Sequence, residues 1–235
     1  MKNICLMLCA MSLALGAAGA ATVYEGQPIG SIAVTAPGKG AIVAVAFKEL
    51  SAADEPVSAA NIVSTANLRD GDALYVYSGV SYDAWTLENG AWTKVMKVDA
   101  GGTHEGADAA SVRAKVGEGF WLIRNGENRD YTKPFYIFGA AVETSSTVAK
   151  AGVKSLMGNP KREAATPTIT GMADGDMVQL ATGSAMLNVY TYRSSKNGWT
   201  YWNGNVPAVV ASPEIPAGTG FWYVSGGSSD VTFAW

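Results

Sequence analysis

Residues 117–123 read GEGFWLI, and residues 218–224 read GTGFWYV. In both stretches two glycines permit a bend, and a bulky run typical of a β-strand follows them. Phe120 and Phe221 lie 101 residues apart, so one strand-forming pattern occurs twice in the chain. We therefore expect an internal repeat whose unit is built around this strand.

Two further pairs of stretches recur in the same order. LRDGDAL at residues 68–74 corresponds to MADGDMV at residues 172–178, and both contain an Asp-Gly-Asp turn signal followed by a strand. NGAWT at residues 89–93 corresponds to NGWT at residues 197–200, where Asn-Gly predicts the tight turn of a hairpin. Because the order is kept while the spacing varies, the copies are expected to differ by loop insertions. The boundary between them is predicted near residues 139–146.

Composition also favours β structure, since the chain has 27 glycines and its aromatic and β-branched residues fill short runs. We predict an all-β fold of two tandem, duplicated small antiparallel β-sandwich or barrel-like domains, at residues 21–140 and 141–235. One sheet system built jointly by both copies is the alternative. A single helix is predicted, at residues 107–115. The predicted strands are residues 31–34, 42–46, 74–77, 84–87, 92–98, 120–124, 135–138, 153–157, 177–181, 187–192, 200–202, 221–224 and 231–235.

Residues 1–20 have the three parts of a secretory signal peptide. Lys2 supplies the positive charge, residues 4–15 are apolar, and Ala18-Gly19-Ala20 forms a small-residue cleavage site. The apolar stretch is shorter than the roughly 20 residues that a membrane-spanning helix needs. We expect cleavage before Ala21, no membrane span after signal removal, and an extracytoplasmic location: secreted, periplasmic or at the cell surface.

Cysteine content and charge restrict the partners. Both cysteines, Cys5 and Cys9, lie inside the predicted signal, so the mature chain would have neither a disulfide nor a cysteine metal site. Loss of Lys2 leaves 16 of the 17 basic residues against 20 acidic ones, a formal charge of −4. No basic cluster occurs along the sequence, so nucleic acid is not an expected partner. No cofactor is expected.

Few residues suggest catalysis. His104 is the only histidine and lies in a small polar stretch without a nucleophile elbow, so neither a serine triad nor a zinc site is expected. A glycoside hydrolase needs only two acids at a set separation, for which Asp83, Glu88, Glu118 and Asp130 are available. The Asp-Gly-Asp motifs suggest calcium, but further acids are missing nearby, so a turn is favoured.

Aromatic residues near the Asn-Gly hairpins give the strongest functional signal. Flat rings stack on the C–H faces of sugars, and neighbouring amides bond their hydroxyls. The alternative is that the rings belong to the core or to cross-strand pairs, since tryptophan is usually buried. Side chains alternate across a strand, so at least one ring of residues 199–202 is expected to face solvent. The candidate glycan-binding residues are Trp85, Trp92, Trp199, Tyr201, Trp202, Asn89 and Asn197.

Together these motifs resemble exported β-repeat proteins of the Verrucomicrobia and Lentisphaerae. Units of that group read roughly Asp-Gly-Asp, strand, Trp and Pro-Gly-x-Gly-Phe-Trp, often after Asn-Pro, and residues 157–160 and 215–222 are similar. The first copy departs from the pattern, because it has Val116 in place of the Pro216-Ala217 context and lacks Asn-Pro. The resemblance implies an extracytoplasmic β module and no catalytic residues.

From these features we expect an exported, non-enzymatic β protein with a structural or adhesive role at the cell surface or in the extracellular matrix. Its partner would be itself or an extracellular glycan. The alternative is a carbohydrate-binding module that uses exposed Trp and Tyr side chains, and an acid-pair glycoside hydrolase is less favoured. Buried tryptophans and self-association would support the structural role, aligned exposed rings the binding module, and two facing carboxylates the hydrolase.

Overall fold

The computed structural model describes residues 29–34, 39–48, 58–77, 81–99, 101–105, 114–125, 130, 132–142, 145–182, 186–203 and 205–235. The predicted signal peptide and its cleavage site lie outside these residues, as does most of the helix predicted at residues 107–115. In the part of the chain that is described, no helix is long and apolar enough to cross a membrane.

The described chain is almost entirely β structure, which confirms the predicted fold class. Residues 29–142 are called the first half and residues 145–235 the second half. The strands of the first half are β1 (Ile29–Val34), β2 (Gly40–Ala44), β3 (Phe47–Lys48), β4 (Ala73–Tyr77), β5 (Tyr82–Glu88), β6 (Ala91–Asp99), β7 (Gly102–Glu105), β8 (Gly119–Ile123) and β9 (Phe135–Ala141). The strands of the second half are β10 (Ser146–Ala149), β11 (Lys154–Gly158), β12 (Thr168–Thr170), β13 (Met177–Thr182), β14 (Met186–Arg193), β15 (Gly198–Asn203), β16 (Val206–Val210), β17 (Gly220–Val224) and β18 (Val231–Ala234). Two short helical segments accompany them, α1 (Ala59–Ile62) and a 3₁₀ turn (Ser194–Lys196).

Each half forms one six-stranded and one three-stranded sheet. The strand orders are β2-β8-β4-β5-β6-β7 and β1-β9-β3 in the first half, and β11-β17-β13-β14-β15-β16 and β10-β18-β12 in the second. Every second-half order is the first-half order with each strand number raised by nine, so the halves share one topology. All pairings among these strands are antiparallel. Descent from one duplicated unit stays a prediction.

A hydrophobic core lies between the two sheets of each half, as expected of a sandwich. In the first half, Ile137 of the small sheet belongs to the same core cluster as Phe120 of the large sheet. In the second half, the Phe233 ring lies 5.6 Å from the Phe221 ring and 5.2 Å from the Tyr223 ring. The phenylalanine of each Gly-x-Gly-Phe-Trp motif therefore anchors the core of its own half.

The second aspartate of each Asp-Gly-Asp motif braces a turn from inside. Asp176 is fully buried and accepts the N–H of Ala173 at 2.9 Å, the N–H of Gly226 at 2.7 Å and the hydroxyl of Tyr223. The equivalent first-half contacts run from Arg69 N to Asp72 Oδ2 at 3.0 Å and from Asn125 N to Asp72 Oδ1 at 2.9 Å. Each carboxylate thus ties the turn before a central strand to the loop after the Phe-Trp strand.

The paired glycines of the Gly-x-Gly motif form the junction between the halves. The first glycines, Gly117 and Gly218, have φ angles of 90° and 63°, which favour glycine. The second glycine has a different role: a Cβ added to Gly220 would lie 2.3 Å from Cγ2 of Ile42 in the first half. Glycine is required there because the two halves approach each other closely.

Backbone hydrogen bonds across the junction come in equivalent pairs. Ala44 N donates to Gly218 O at 2.9 Å, and Gly158 N donates to Gly117 O at 2.8 Å. Ala44 and Gly158 end the equivalent strands β2 and β11, and the two acceptor glycines precede the equivalent strands β8 and β17. The same contact is therefore made twice, with the roles of the halves exchanged.

The Asn-Gly hairpin turn is correctly predicted in the first half only. Asn89 and Gly90 have φ angles of 52° and 75° and join β5 to β6 as a two-residue turn. In the second half the 3₁₀ turn lies between β14 and Asn197, whose φ angle is 46°, so the predicted tight turn is wrong there. Asp174 Oδ1 accepts the N–H of Ser194 at 2.8 Å and supports this longer loop.

Candidate functional surface

A neutral face is exposed at one end of the large sheet of the second half. Strand pairing and the alternation of side chains place the same six residues of β14, β15 and β16 on one side of this sheet. We call this set the β14–β16 face; it comprises Val189, Thr191, Thr200, Trp202, Pro207 and Val209.

The β14–β16 face continues a surface that the protein already uses for packing. A row of paired residues crosses the sheet from Leu156 through Trp222 and Gln179 to Val189. Leu156 and Trp222 are both buried, and they cluster with Ile42 of the first half. The first half therefore covers one end of this side of the sheet and leaves the other end open.

Trp202 dominates the open end, since 71% of its surface is exposed. Val209 is 52% exposed and Val189 is 37% exposed. Exposed apolar surface of this kind is typical of interaction sites, and tryptophan is enriched among the residues that contribute most to protein interfaces. The ring expected to face solvent in residues 199–202 is thus Trp202.

Two of the seven candidate glycan-binding residues lie in the core, which corrects their assignment. Trp85 is 2% exposed and Trp199 is completely buried, so neither ring is available to a sugar. Trp85 pairs with buried Leu74 across the sheet, and the Trp199 ring lies 5.5 Å from the Tyr192 ring. The alternative interpretation, in which the rings are core or cross-strand residues, describes both of them.

Three further candidates take structural positions. Trp92 is half-buried, and its Nε1 donates to Val63 O at 3.3 Å, which links β6 to the segment after α1. Asn89 and Asn197 are exposed at positive φ in their loops, a conformation that asparagine tolerates well. These residues explain how the hairpins form and do not collect into one surface.

Tyr201 lies on the side of the sheet opposite Trp202, because neighbouring residues of β15 alternate. Its ring centroid is 4.9 Å from that of Tyr190, with the planes tilted by 36°. Burial raises the pKa of the Tyr190 hydroxyl, and the nearby Tyr201 and Glu214 raise it further. The rings near this hairpin are therefore divided between two faces and form no single aligned platform.

The junction holds a group of aromatic side chains that was not recognised in the sequence. The Tyr77 ring lies 5.2 Å from that of Trp222, nearly edge-on at 80°, and 5.1 Å from that of Tyr82. Burial raises the pKa of Tyr82, Tyr77 raises it further, and a hydrogen bond with Trp121 opposes these effects. Trp121 and Trp222 occupy the same place in the repeated motif, and alternation after a core phenylalanine would have assigned both to the opposite side of the sheet.

The acids considered for glycoside hydrolysis lie on separate segments. Asp83 is on β5 opposite Val76, and Glu88 is exposed at the end of the same strand. Glu118 accepts the N–H of Lys115 at 2.8 Å at the junction, and burial raises the pKa of its carboxyl group. Asp130 lines a small cleft of the first half.

Metal-binding side chains do not collect in the described part of the chain. Within it, no group of three or more His, Cys, Asp or Glu side chains could hold a metal ion. The buried aspartate of each Asp-Gly-Asp motif accepts backbone N–H groups instead, as a turn residue does. His104 lies on β7 opposite Lys97.

No protein-family model matches the chain, and no curated protein sequence matches it either. Function is therefore inferred from the geometry of the described residues.

Proposed function

We propose that the chain is an exported, non-enzymatic β protein with a structural or adhesive role at the cell surface or in the extracellular matrix. A second copy of the chain is its partner, bound through the β14–β16 face. The observation that carries this proposal is the 71% exposure of Trp202 on a face without charged residues. Burial of such a ring is favourable, at about 25 cal/mol per Å² of apolar surface removed from water.

Two properties of the face favour a second copy as the partner. The chain carries a formal charge of −3, so identical surfaces generally repel each other, but a face of Trp, Val, Pro and Thr can meet its own copy without like-charge contacts. The same side of the sheet already packs against the first half at Trp222, so its apolar surface is continuous with an internal interface.

Contact through the face is favoured over pairing through the sheet edge. Strand β16 is the edge strand, and an open edge can pair with another chain. Pro207 lies in this strand and has no N–H to donate to a neighbouring ladder. The edge is thus interrupted, while the exposed side chains remain available.

Glycan binding is the second candidate, and the exposed indole ring of Trp202 is the observation that favours it. A sugar on this ring would need directional partners for its hydroxyls. The hydroxyl of Thr200 already donates to Thr191 O at 3.0 Å, so it is committed within the sheet. A single ring with few free polar neighbours fits a protein contact better than a sugar site.

Sedimentation velocity of the mature protein across a wide concentration range tests self-association. We expect a concentration-dependent dimer that Trp202→Ser and Val209→Thr weaken by at least about tenfold, since lost apolar burial of about 1.4 kcal/mol is a factor of ten. The matched control is Val153→Thr, which changes a valine of similar exposure, 44%, outside the face. A monomer at every concentration, or an equal effect of Val153→Thr, contradicts the proposal.

Acrylamide quenching of tryptophan fluorescence separates the two candidates. Trp202 is the exposed indole of the described chain, so quenching should fall sharply in Trp202→Ser. Protection that depends on protein concentration supports self-association. Protection of the dilute monomer by one polysaccharide in a soluble panel would support glycan binding and contradict the self-association assignment.

A further inference from the structure

A small cleft in the first half carries three positively charged side chains. It lies among the turn after α1, the end of β8 and the segment before β9, and its volume is about 200 Å³. Pockets for drug-sized molecules are larger, roughly 300–1,000 Å³, so this cleft fits one small group. Its lining residues are Asn67, Leu68, Arg69, Arg124, Asp130 and Lys133.

Arg124 is the fixed part of the cleft, since only 2% of its surface is exposed. Its Nη1 donates to Lys133 O at 3.0 Å, and its guanidinium carbon lies 5.5 Å from the centroid of the Phe135 ring. These contacts hold the plane of the guanidinium group. A planar, preorganised guanidinium binds carboxylate, sulfate and phosphate groups through paired hydrogen bonds.

The charges that line the cleft do not balance. Arg69 and Lys133 are exposed at its rim and add two positive charges to that of Arg124. Asp130 is the one acid; hydrogen bonds from Thr132 hold the pKa of its carboxyl group below the usual value, and the charges of Lys133 and Arg124 contribute. The described lining therefore has three positive charges and one negative charge, an excess that attracts anions.

The second half shows that this charge is not needed to build the sandwich. Arg69 and Ala173 donate their N–H groups to the equivalent aspartates, so they occupy the same position. Arg124 and Ser225 each precede the next residue whose N–H reaches that aspartate. Lys133 and Ser229 each lie two residues before the equivalent strands β9 and β18. All three cations thus replace small neutral residues, and only in the first half.

We propose that this cleft is an anion-binding site that takes one small oxyanion, either free or as the carboxylate of an acidic sugar. Arg124 holds the oxyanion through its guanidinium edge, and Arg69 and Lys133 complete the contact from the rim. Asn67 holds the turn in place, since its Nδ2 donates to Pro134 O at 2.9 Å. The site is independent of the β14–β16 face, so either assignment can fail without the other.

The test is a titration of the ¹⁵N-labelled mature chain at low ionic strength, followed by NMR chemical shifts. The probes are sodium glucuronate, sodium sulfate and uncharged glucose. The variant is the double substitution Arg69→Ala and Lys133→Ser, which installs the second-half residues at exposed positions and should leave the fold intact. Its control, Lys115→Ser with Lys196→Ala, removes the same charge from exposed positions outside the cleft.

We expect saturable binding of an anion, no binding of glucose, and at least about tenfold weaker binding by the double variant, because two charged contacts are lost. Tighter binding of glucuronate than of sulfate assigns an acidic sugar, and equal binding assigns a free oxyanion. The proposal is overturned if no anion saturates the native chain, or if the control pair weakens binding as much as the cleft variant. Arg124→Lys keeps the charge but loses the planar fork, so it should weaken glucuronate binding while sparing the fold.

Discussion

Replacement of Asp176 by asparagine would change the charge and one hydrogen-bonding atom at the centre of the second half. The carboxylate accepts the N–H groups of Ala173 and Gly226 and the hydroxyl of Tyr223, and it is fully buried. Asparagine has one acceptor oxygen, so its amide NH₂ must face the Ala173 N–H or the Gly226 N–H. At least one buried donor then loses its partner.

The size of the effect follows from these contacts. A buried donor without a partner costs about 1–3 kcal/mol, and hydrogen bonds to charged groups lie at the upper end of the range. For Asp176→Asn we expect a loss of about 3 kcal/mol in the free energy of unfolding. In a chain of this length that corresponds to a fall of roughly 6–12 °C in Tm. Asp72→Asn should give a loss of similar size, because Asp72 accepts two backbone N–H groups in the equivalent turn.

Urea unfolding and calorimetry of the purified mature protein measure this loss. Asp174→Asn is the control, since Asp174 belongs to the same motif but is exposed, and its Tm should shift far less. A double-mutant cycle with Tyr223→Phe should show coupling, because Tyr223 and Asp176 share a hydrogen bond. Unchanged Tm in Asp176→Asn would refute the assignment of this carboxylate as a brace.

Three further variants and one chelator test other parts of the account. Gly220→Ala should cost about 1–3 kcal/mol by overpacking the junction, whereas Gly226→Ala, whose Cβ would have no neighbour closer than 3.7 Å, should cost far less in the same urea experiment. Burial raises the pKa of Glu118, so its contribution to stability is present below the ordinary Glu pKa of about 4.3 and is lost as pH rises through the folded value. Glu118→Gln should therefore gain Tm relative to the native chain from about pH 4 to about pH 7. Trp202→Ala should change the unfolding free energy of the monomer by less than about 0.5 kcal/mol, since its ring is exposed. EDTA should leave Tm unchanged if the Asp-Gly-Asp motifs are turns; a lower Tm would favour calcium.

Strands could be predicted where a bulky run is bounded by turn residues. The run from Phe221 and the run from Phe120 each fill a central strand, and both were predicted to within a residue or two. Strands β10, β12 and β16 were missed. Thr168–Thr170 has three residues, too few to show alternation, and Pro207 within β16 argues against a strand unless it lies at an edge.

The phase of the aromatic residues could be predicted, but their burial could not. Alternation correctly places Trp199 and Trp202 on opposite sides of β15. Which side is covered depends on the three-stranded sheet, whose strand β18 supplies Phe233 to the core around Trp199. That sheet is assembled from segments far apart in the chain, so its position does not follow from the hairpin sequence. For the same reason the charged cleft was missed, since Arg69, Arg124 and Lys133 form no cluster along the chain.

Residues shared by the two halves and residues unique to one half differ in what they can reveal. The repeated anchors all have structural roles: Asp176 braces a turn and Gly220 allows the halves to meet, and each has a counterpart in the other half. A motif kept in both halves by the demands of one topology carries little information about a ligand. The exposed Trp202 and the buried Arg124 are different, because the first half has no tryptophan aligned with Trp202 in the repeat and the second half has Ser225 in place of Arg124. Since the sandwich forms in one half without each of them, selection for folding does not explain them, and binding is the more economical cause.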